Sequence, residues 1–80
     1  MAGEEKQKFM KLGQAAKAAG VSTQTVEYYI MLGLVDPIVA AGARRRFFDA
    51  DLVKRIRLIH ELNDSGYTLR EIRQTWMRNK

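Results

Sequence analysis

The sequence contains no cysteine and only one histidine, His60. A disulfide framework and a thiolate metal site are therefore excluded, and zinc ligation is not expected from a single imidazole. No apolar run approaches the roughly 20 residues that a membrane-spanning helix needs, and residues 1–8 are polar and mixed in charge, unlike a signal peptide. These absences predict a cytoplasmic protein with no membrane partner, no metal and no other cofactor.

Sets of residues typical of catalytic sites are also missing. The sequence has neither a Ser/His/Asp nor a Cys/His set, and it has no glycine-rich loop that would cradle phosphate groups. Asp49 and Asp51 are closely spaced carboxylates, but an acid at the positive end of a helix dipole explains them better than acid–base catalysis. The sequence therefore predicts that the protein is not an enzyme, and His60 is assigned a structural role.

The chain of 80 residues has no internal repeat, low-complexity tract or linker, which indicates one domain with a small core. We expect residues 1–10 to be a flexible N-terminus. Residues 11–80 should form the domain. A short strand around residues 9–11 is a further option, and Phe9 or Met10 would then be the first side chain to pack.

The formal net charge of +5 favours a polyanionic partner. The charge is concentrated between residues 40 and 60, where the acids are Asp49 and Asp51. The bases in the same stretch are Arg44, Arg45, Arg46, Lys54, Arg55 and Arg57. A local basic block of this kind suits contacts with phosphate groups. Within it, we expect Lys54 and Arg55 to be ordinary solvent-facing charges.

Two short helices around a tight turn are predicted for residues 13–33. An alanine-rich helix over residues 12–19 should end at Gly20, because glycine accepts the left-handed conformation of a C-terminal cap. Ser22 can then cap the N-terminus of a second helix over residues 23–32. Helical periodicity places Val26 and Tyr29 in the core and exposes Gln24 and Tyr28. A helix, a glycine-containing turn and a helix with a polar exposed face form the helix-turn-helix pattern of DNA-binding proteins.

A small two-stranded wing is predicted to follow. Residues 38–39 are β-prone, residues 41–43 should turn, and residues 45–48 should return as the second strand. Because an isolated hairpin is marginal in water, Phe47 or Phe48 must anchor the wing to the helices.

A helix pair is predicted to complete the chain. A third helix should start at Asp49 or Asp51 and end near residue 63. Thr68 and Glu71 form a capping box that opens the last helix, on which Leu69, Ile72 and Trp76 share an apolar face.

These elements, in this order, resemble the MerR-type transcriptional regulators, specifically their N-terminal winged-helix domain. The resemblance covers nearly all of the chain from residue 11 onward. The residues that carry it are Leu12-Gly13-Gln14-Ala15-Ala16, Gly20-Val21-Ser22, Thr25-Val26-Glu27-Tyr28-Tyr29, Gly33-Leu34-Val35, Arg45-Arg46-Phe47, Asp51-Leu52 and Gly66-Tyr67-Thr68-Leu69-Arg70-Glu71-Ile72-Arg73.

The resemblance implies a mainly α-helical winged helix-turn-helix fold and sequence-specific binding of double-stranded DNA by a transcriptional regulator. It implies that residues 23–28 enter the major groove and that the wing arginines contact the flanking backbone. Members of the family usually dimerise and underwind the promoter spacer, and they act on the bacterial nucleoid. The family's long dimerisation helix and effector domain have no counterpart before Lys80, so the chain is interpreted as an excised DNA-binding domain or a naturally short relative, without an effector.

The sequence departs from the family pattern in the recognition helix and the wing. Glu27 stands where the family usually has a base, and it would repel a phosphate unless it accepts a hydrogen bond from a cytosine amino group or pairs with a neighbouring Lys or Arg. Ile30 replaces an acid. The wing aromatic is Phe47, which cannot donate a hydroxyl hydrogen bond.

The predicted DNA-binding residues lie on both helices and on the wing. Thr23, Gln24 and Thr25 are candidates for base edges or nearby phosphates, since glutamine can make a bidentate contact with adenine. Tyr28 should place its hydroxyl on a phosphate. The remaining candidates are basic residues expected to contact phosphates, with one of the wing arginines allowed a structural role: Lys17, Arg44, Arg45 and Arg46.

Two other functions remain open at the level of the sequence. The recognition face could bind a protein, with Glu27 marking a loss of DNA readout. The chain could also be an excisionase-like architectural factor, because a small size and a winged helix are shared with that class.

Overall fold

A computed structural model describes residues 9–39, 42 and 45–75 of the chain. The elements are α1 (Leu12–Ala19), α2 (Thr23–Met31), β1 (Ile38–Val39), β2 (Arg46–Phe47), α3 (Ala50–Asp64) and α4 (Leu69–Thr75). This order confirms the predicted winged helix-turn-helix fold. α2 ends at Met31 with Leu32 as its C-cap, close to the predicted end of the second helix.

The turn between α1 and α2 forms as the sequence predicts. Gly20 has a left-handed backbone with φ of 78°, and its N–H is directed at the carbonyls of Ala16 and Lys17. The Ser22 Oγ accepts a hydrogen bond of 3.1 Å from the Thr25 N–H at the start of α2. A left-handed cap followed two residues later by an N-cap changes the direction of the chain within a few residues. The two helices therefore pack against each other directly.

The wing is antiparallel, with Ile38 opposite Phe47 and Val39 opposite Arg46. The side chain of Phe48, just after β2, is fully buried in the helical core. Its backbone N–H and carbonyl form hydrogen bonds of 2.8 and 2.7 Å with Met10. Phe48 is therefore the anchor that the sequence requires, and Met10 pairs with it in an isolated antiparallel bridge beside the two-stranded wing. Residues 41 and 43 of the predicted turn lie outside the described residues.

The helix pair α3 and α4 is capped as predicted. Asp49 is the N-cap of α3, with its Oδ1 accepting from the Leu52 N–H at 2.9 Å. Thr68 and Glu71 form the reciprocal box at α4, with bonds of 2.8 and 3.1 Å. The apolar faces of both helices meet in the core, whose buried residues are Ala15, Ala16, Ala19, Val26, Tyr29, Leu34, Val35, Phe48, Val53, Ile56, Ile59 and Ile72. Trp76 lies outside the described residues, so its predicted place on α4 is untested.

The environment of Arg55 differs from the prediction. The sequence indicates a solvent-facing charge, but Arg55 is half-buried and its Nε donates a 2.7 Å hydrogen bond to the Leu34 carbonyl. The side chain is long enough to lie along apolar surface and reach a carbonyl in the loop after α2. Lys54 is exposed, as predicted. Arg57 makes a similar contact beside the turn between α1 and α2, from its Nη2 to the Ala18 carbonyl at 2.8 Å.

In the described part of the chain, none of the helices combines the length and the apolar character needed to cross a membrane. Residues 1–8 and 76–80 lie outside the described residues. The predicted division of the chain at residue 10 therefore stays a prediction.

Two glycines in the helix-turn-helix motif should respond in opposite ways to the same substitution. A methyl group at Gly13 or at Gly20 would meet no atom within 4 Å, but only Gly20 has a positive φ, of 78°. We expect Gly20→Ala to lower the free energy of unfolding by about 1–2 kcal/mol. Gly13→Ala, inside α1, should raise it by about 0.4–1 kcal/mol, because alanine loses less backbone entropy on folding. Urea denaturation followed by circular dichroism measures both values, and two shifts of the same sign would contradict the assignment of Gly20 as the cap.

Candidate nucleic-acid interface

The exposed side of α2 carries three of the predicted DNA-binding residues. Thr23 and Gln24 are exposed, and 51% of Tyr28 is exposed. Val26 and Tyr29, on the other side of the helix, are buried, and burial raises the pKa of the Tyr29 hydroxyl. The faces of α2 are therefore oriented as the periodicity predicts. The first two turns of the helix present hydrogen-bonding side chains to the outside.

Thr25 and Lys17 differ in how accessible their polar groups are. Thr25 is half-buried, and its Oγ1 lies 2.9 Å from the Ser22 Oγ, so that its hydroxyl takes part in the cap of α2. Lys17 is exposed in the last turn of α1, just before the turn at Gly20. Of the two, Lys17 has the side chain that is free to reach an external anion.

A bidentate ion pair joins the wing to α2. The Arg46 Nη1 donates to the Glu27 Oε1 at 3.1 Å, and its Nη2 donates to the Oε2 at 2.9 Å. The Arg46 hydrogen bond, with a smaller charge attraction, holds the pKa of Glu27 below its usual value, although partial desolvation opposes this. The same bond raises the pKa of Arg46. Both groups are therefore charged at neutral pH. Arg46 is the basic partner of Glu27, which is one of the alternatives that the sequence allowed.

This ion pair also shows where the wing lies relative to α2. Glu27 lies in the middle of α2, next to Tyr28 in sequence and one helical turn after Gln24. Because Arg46 is bonded to it, strand β2 lies beside the exposed face of the recognition helix. Arg45, the preceding residue, is exposed. Arg44 lies outside the described residues, and its role stays a prediction.

An open groove of about 440 Å³ lies between the start of α1 and the wing, lined by Lys11, Leu12, Arg45 and Arg46. Its charged lining is entirely basic, which suits a phosphate group. Lys11 was not among the predicted binding residues. The sequence does place a basic residue, Lys11, directly before the first helix. It does not show that Lys11 lies near the wing, because that proximity depends on tertiary structure.

Metal-ligating clusters and buried polar groups are both absent from the described residues. Within residues 9–39, 42 and 45–75, no group of three His, Asp or Glu side chains is arranged to hold a metal ion. No polar or charged residue is buried in the same part of the chain. The polar side chains of the described residues are therefore at least partly accessible from outside, those of α2, the end of α1 and the wing included.

Comparison with known proteins agrees with this geometry. A model of the family described as MerR HTH family regulatory protein matches residues 10–78. The HTH-type transcriptional regulator HmrR of Sinorhizobium medicae is 31% identical over 65 residues, which make up 81% of this chain and 44% of that protein. The mercuric resistance operon regulatory protein of Pseudomonas fluorescens is 38% identical over 64 residues, with coverage of 79% and 44%.

A solved structure extends the likeness to three dimensions. The crystal structure of the transcription regulator PbrR691 from Ralstonia metallidurans, in complex with lead(II), superposes with a TM-score of 0.74 at 31% identity. The likeness covers 81% of this chain and 51% of that one. The chain thus spans less than half the length of the curated relatives named above. It belongs to the MerR family of helix-turn-helix regulatory proteins, a family of transcription regulators and not of enzymes, and it corresponds to their N-terminal DNA-binding domain.

Proposed function

We propose that this domain binds a specific sequence of double-stranded DNA, with α2 in the major groove and the wing on the adjacent backbone. The observation that carries the proposal is the Arg46–Glu27 contact, which brings the arginine-bearing strand to the exposed face of α2. A polar helix face and a basic hairpin on one side of the molecule are the parts that a winged helix uses to read bases and hold phosphates. A net charge of +5 supports the attraction to DNA.

Each exposed residue has a role that follows from its chemistry. Gln24 can pair with the edge of an adenine, and Thr23 can donate to a base or a phosphate. Tyr28 carries a hydroxyl suited to a phosphate oxygen. Lys17 and Arg45 supply sequence-independent attraction to the backbone, and we add Lys11 to this group because it lines the same basic groove as Arg45.

We further propose that two copies of the domain act together on a symmetric site in the bacterial cytoplasm. A single module of this kind buries only about 600–1,000 Å² on DNA, so one copy alone should bind weakly. Helix-turn-helix proteins commonly bind as dimers whose half-sites are spaced by whole turns of DNA. The relatives are longer than this chain, which leaves room in those proteins for a segment that pairs two copies.

The decisive experiment selects bound sequences from a random duplex pool and then measures affinity for a selected duplex and for a random one. Several phosphate contacts should make the logarithm of the affinity fall steeply with the logarithm of the salt concentration, by about 0.9 per contact. Flat salt dependence, or a pool without enrichment, would reject the proposal and favour a protein-binding role for this face. Bending of DNA without preference for any sequence would favour an architectural factor.

Loss of a phosphate contact should weaken binding to all duplexes alike. Lys11→Ala and Arg45→Ala should each reduce the salt slope by about 1 for both selected and random DNA. Lys54→Ala is the matched control, because Lys54 is exposed on α3 and does not line the groove. Fluorescence anisotropy over a salt series gives the slopes. An equal change for Lys54→Ala would mean that only the total charge matters.

Loss of a base contact should instead change the preferred sequence. We expect Gln24→Ala to relax selection at one or two base positions, with a cost of about 1–3 kcal/mol on the selected duplex and little change on random DNA. Gln74→Ala, at an exposed position on α4, is the control for the loss of an amide side chain. Repeating the selection with each variant reveals the difference. A Gln24→Ala pool identical to the parent pool would remove Gln24 from the readout.

A further inference from the structure

Two hydrogen bonds between Arg46 and Glu27 are the polar link between the wing and α2. In the described part of the chain, no other hydrogen bond or ion pair joins these two elements. The strands of the wing have two residues each, and a hairpin that short does not hold its own geometry in water. Phe48 fixes the base of the wing in the core, whereas Arg46 lies farther along the strand toward the turn. The angle between wing and helix therefore depends on this ion pair.

The pair is too exposed for its main effect to be on folding. The side chains of Arg46 and Glu27 remain 34% and 46% exposed. Ion pairs with this degree of exposure contribute little to the stability of a fold, because water screens their attraction. A well-formed bidentate contact does fix direction, since the planar guanidinium and the carboxylate meet in one orientation. Its effect should therefore appear in the shape of the binding surface.

The pair also changes the charge that the surface offers to DNA. Arg46 is a wing cation at the basic groove, and Glu27 neutralises it through both terminal nitrogens. An unpaired Glu27 beside the groove of DNA would repel phosphates, and an unpaired Arg46 would attract them irrespective of sequence. When the two side chains are paired, Glu27 does not repel phosphates, but Arg46 is no longer available for a sequence-independent contact with the DNA backbone.

We propose that Glu27 is a positioning residue that holds Arg46, and with it the wing, against α2, and so increases discrimination between the specific duplex and other DNA. The inference rests on the proposed DNA-binding function. A basic residue at this position would attract the phosphates of any DNA sequence. Glu27 instead increases the preference for one sequence over others. Affinity for random sequences is lower as a result, because Arg46 is not available to their phosphates.

Glu27→Gln tests the proposal, because it removes the charge and keeps the shape of the side chain. The freed Arg46 should add about 0.9 to the salt slope on random DNA, so that the loss of affinity between 50 and 200 mM salt becomes about 3.5-fold larger. The ratio of affinities for the selected and random duplexes should fall about tenfold, which is the size of one lost base-pair preference. The thermal midpoint should stay close to that of the parent, since an exposed pair adds little stability.

Glu61→Gln is the matched control. Glu61 is exposed on α3 and its carboxylate is in no hydrogen bond or ion pair described for the chain. The substitution makes the same change in net charge at a place away from the wing contact. It should leave the selected-to-random ratio close to that of the parent, because a distant surface charge acts on both duplexes alike.

Arg46→Ala completes a double-mutant cycle. It should weaken binding to random DNA, because Glu27 is then unpaired, and it should also lower the ratio. The double variant Glu27→Gln with Arg46→Ala should return to near-parent affinity for random DNA and keep the low ratio. A Glu27→Gln protein with the parent's ratio, or one indistinguishable from Glu61→Gln, would overturn the proposal. Failure of the parent itself to prefer a selected duplex would instead reject the proposed function.

Discussion

Phe48 belongs to the wing through its backbone and to the helical core through its side chain. The ring is fully buried, and the backbone N–H and carbonyl are both bonded to Met10. Burial of a side chain of this size stabilises a fold by roughly 1.5–3 kcal/mol. In this domain the buried ring also holds in place a hairpin that is too short to persist alone. Without the ring, the base of the wing would not be attached to the core, and among the described residues the Arg46–Glu27 pair alone would connect the wing to α2. The binding surface thus depends on a residue that does not belong to it.

The charge of the molecule is separated from its core in a way that suits a surface-binding protein. In the described residues the interior is apolar, and the ionised groups lie outside. Lys11, Lys17 and Arg45 are exposed, and they are the basic residues that the proposed function assigns to phosphate contacts. Arg55 and Arg57 have another use, because each donates to a backbone carbonyl. A count of basic residues in the sequence therefore overstates the number available to phosphates.

The parts of this structure that were predictable from the sequence are those that depend on neighbours in the chain. The cap at Gly20, the hydroxyl of Ser22 and the box at Thr68 and Glu71 act over a few residues, and so does the periodicity that orients α2. The partners of Glu27 and Arg55 lie 19 and 21 residues away. Such contacts depend on how the elements pack, which periodicity does not specify. The choice between Phe47 and Phe48 as anchor was open for the same reason.

The two arginine contacts made by α3 have a mechanical consequence for the helix-turn-helix motif. Arg57 is bonded to the carbonyl of Ala18 at the end of α1, and Arg55 is bonded to the carbonyl of Leu34 beyond α2. One helix therefore holds the motif at two points, beside the turn at Gly20 and in the loop that follows α2. Because both carbonyls are bonded to side chains of the same helix, the turn after α1 and the loop after α2 are held at a set separation, which restrains α2 from moving away from α1.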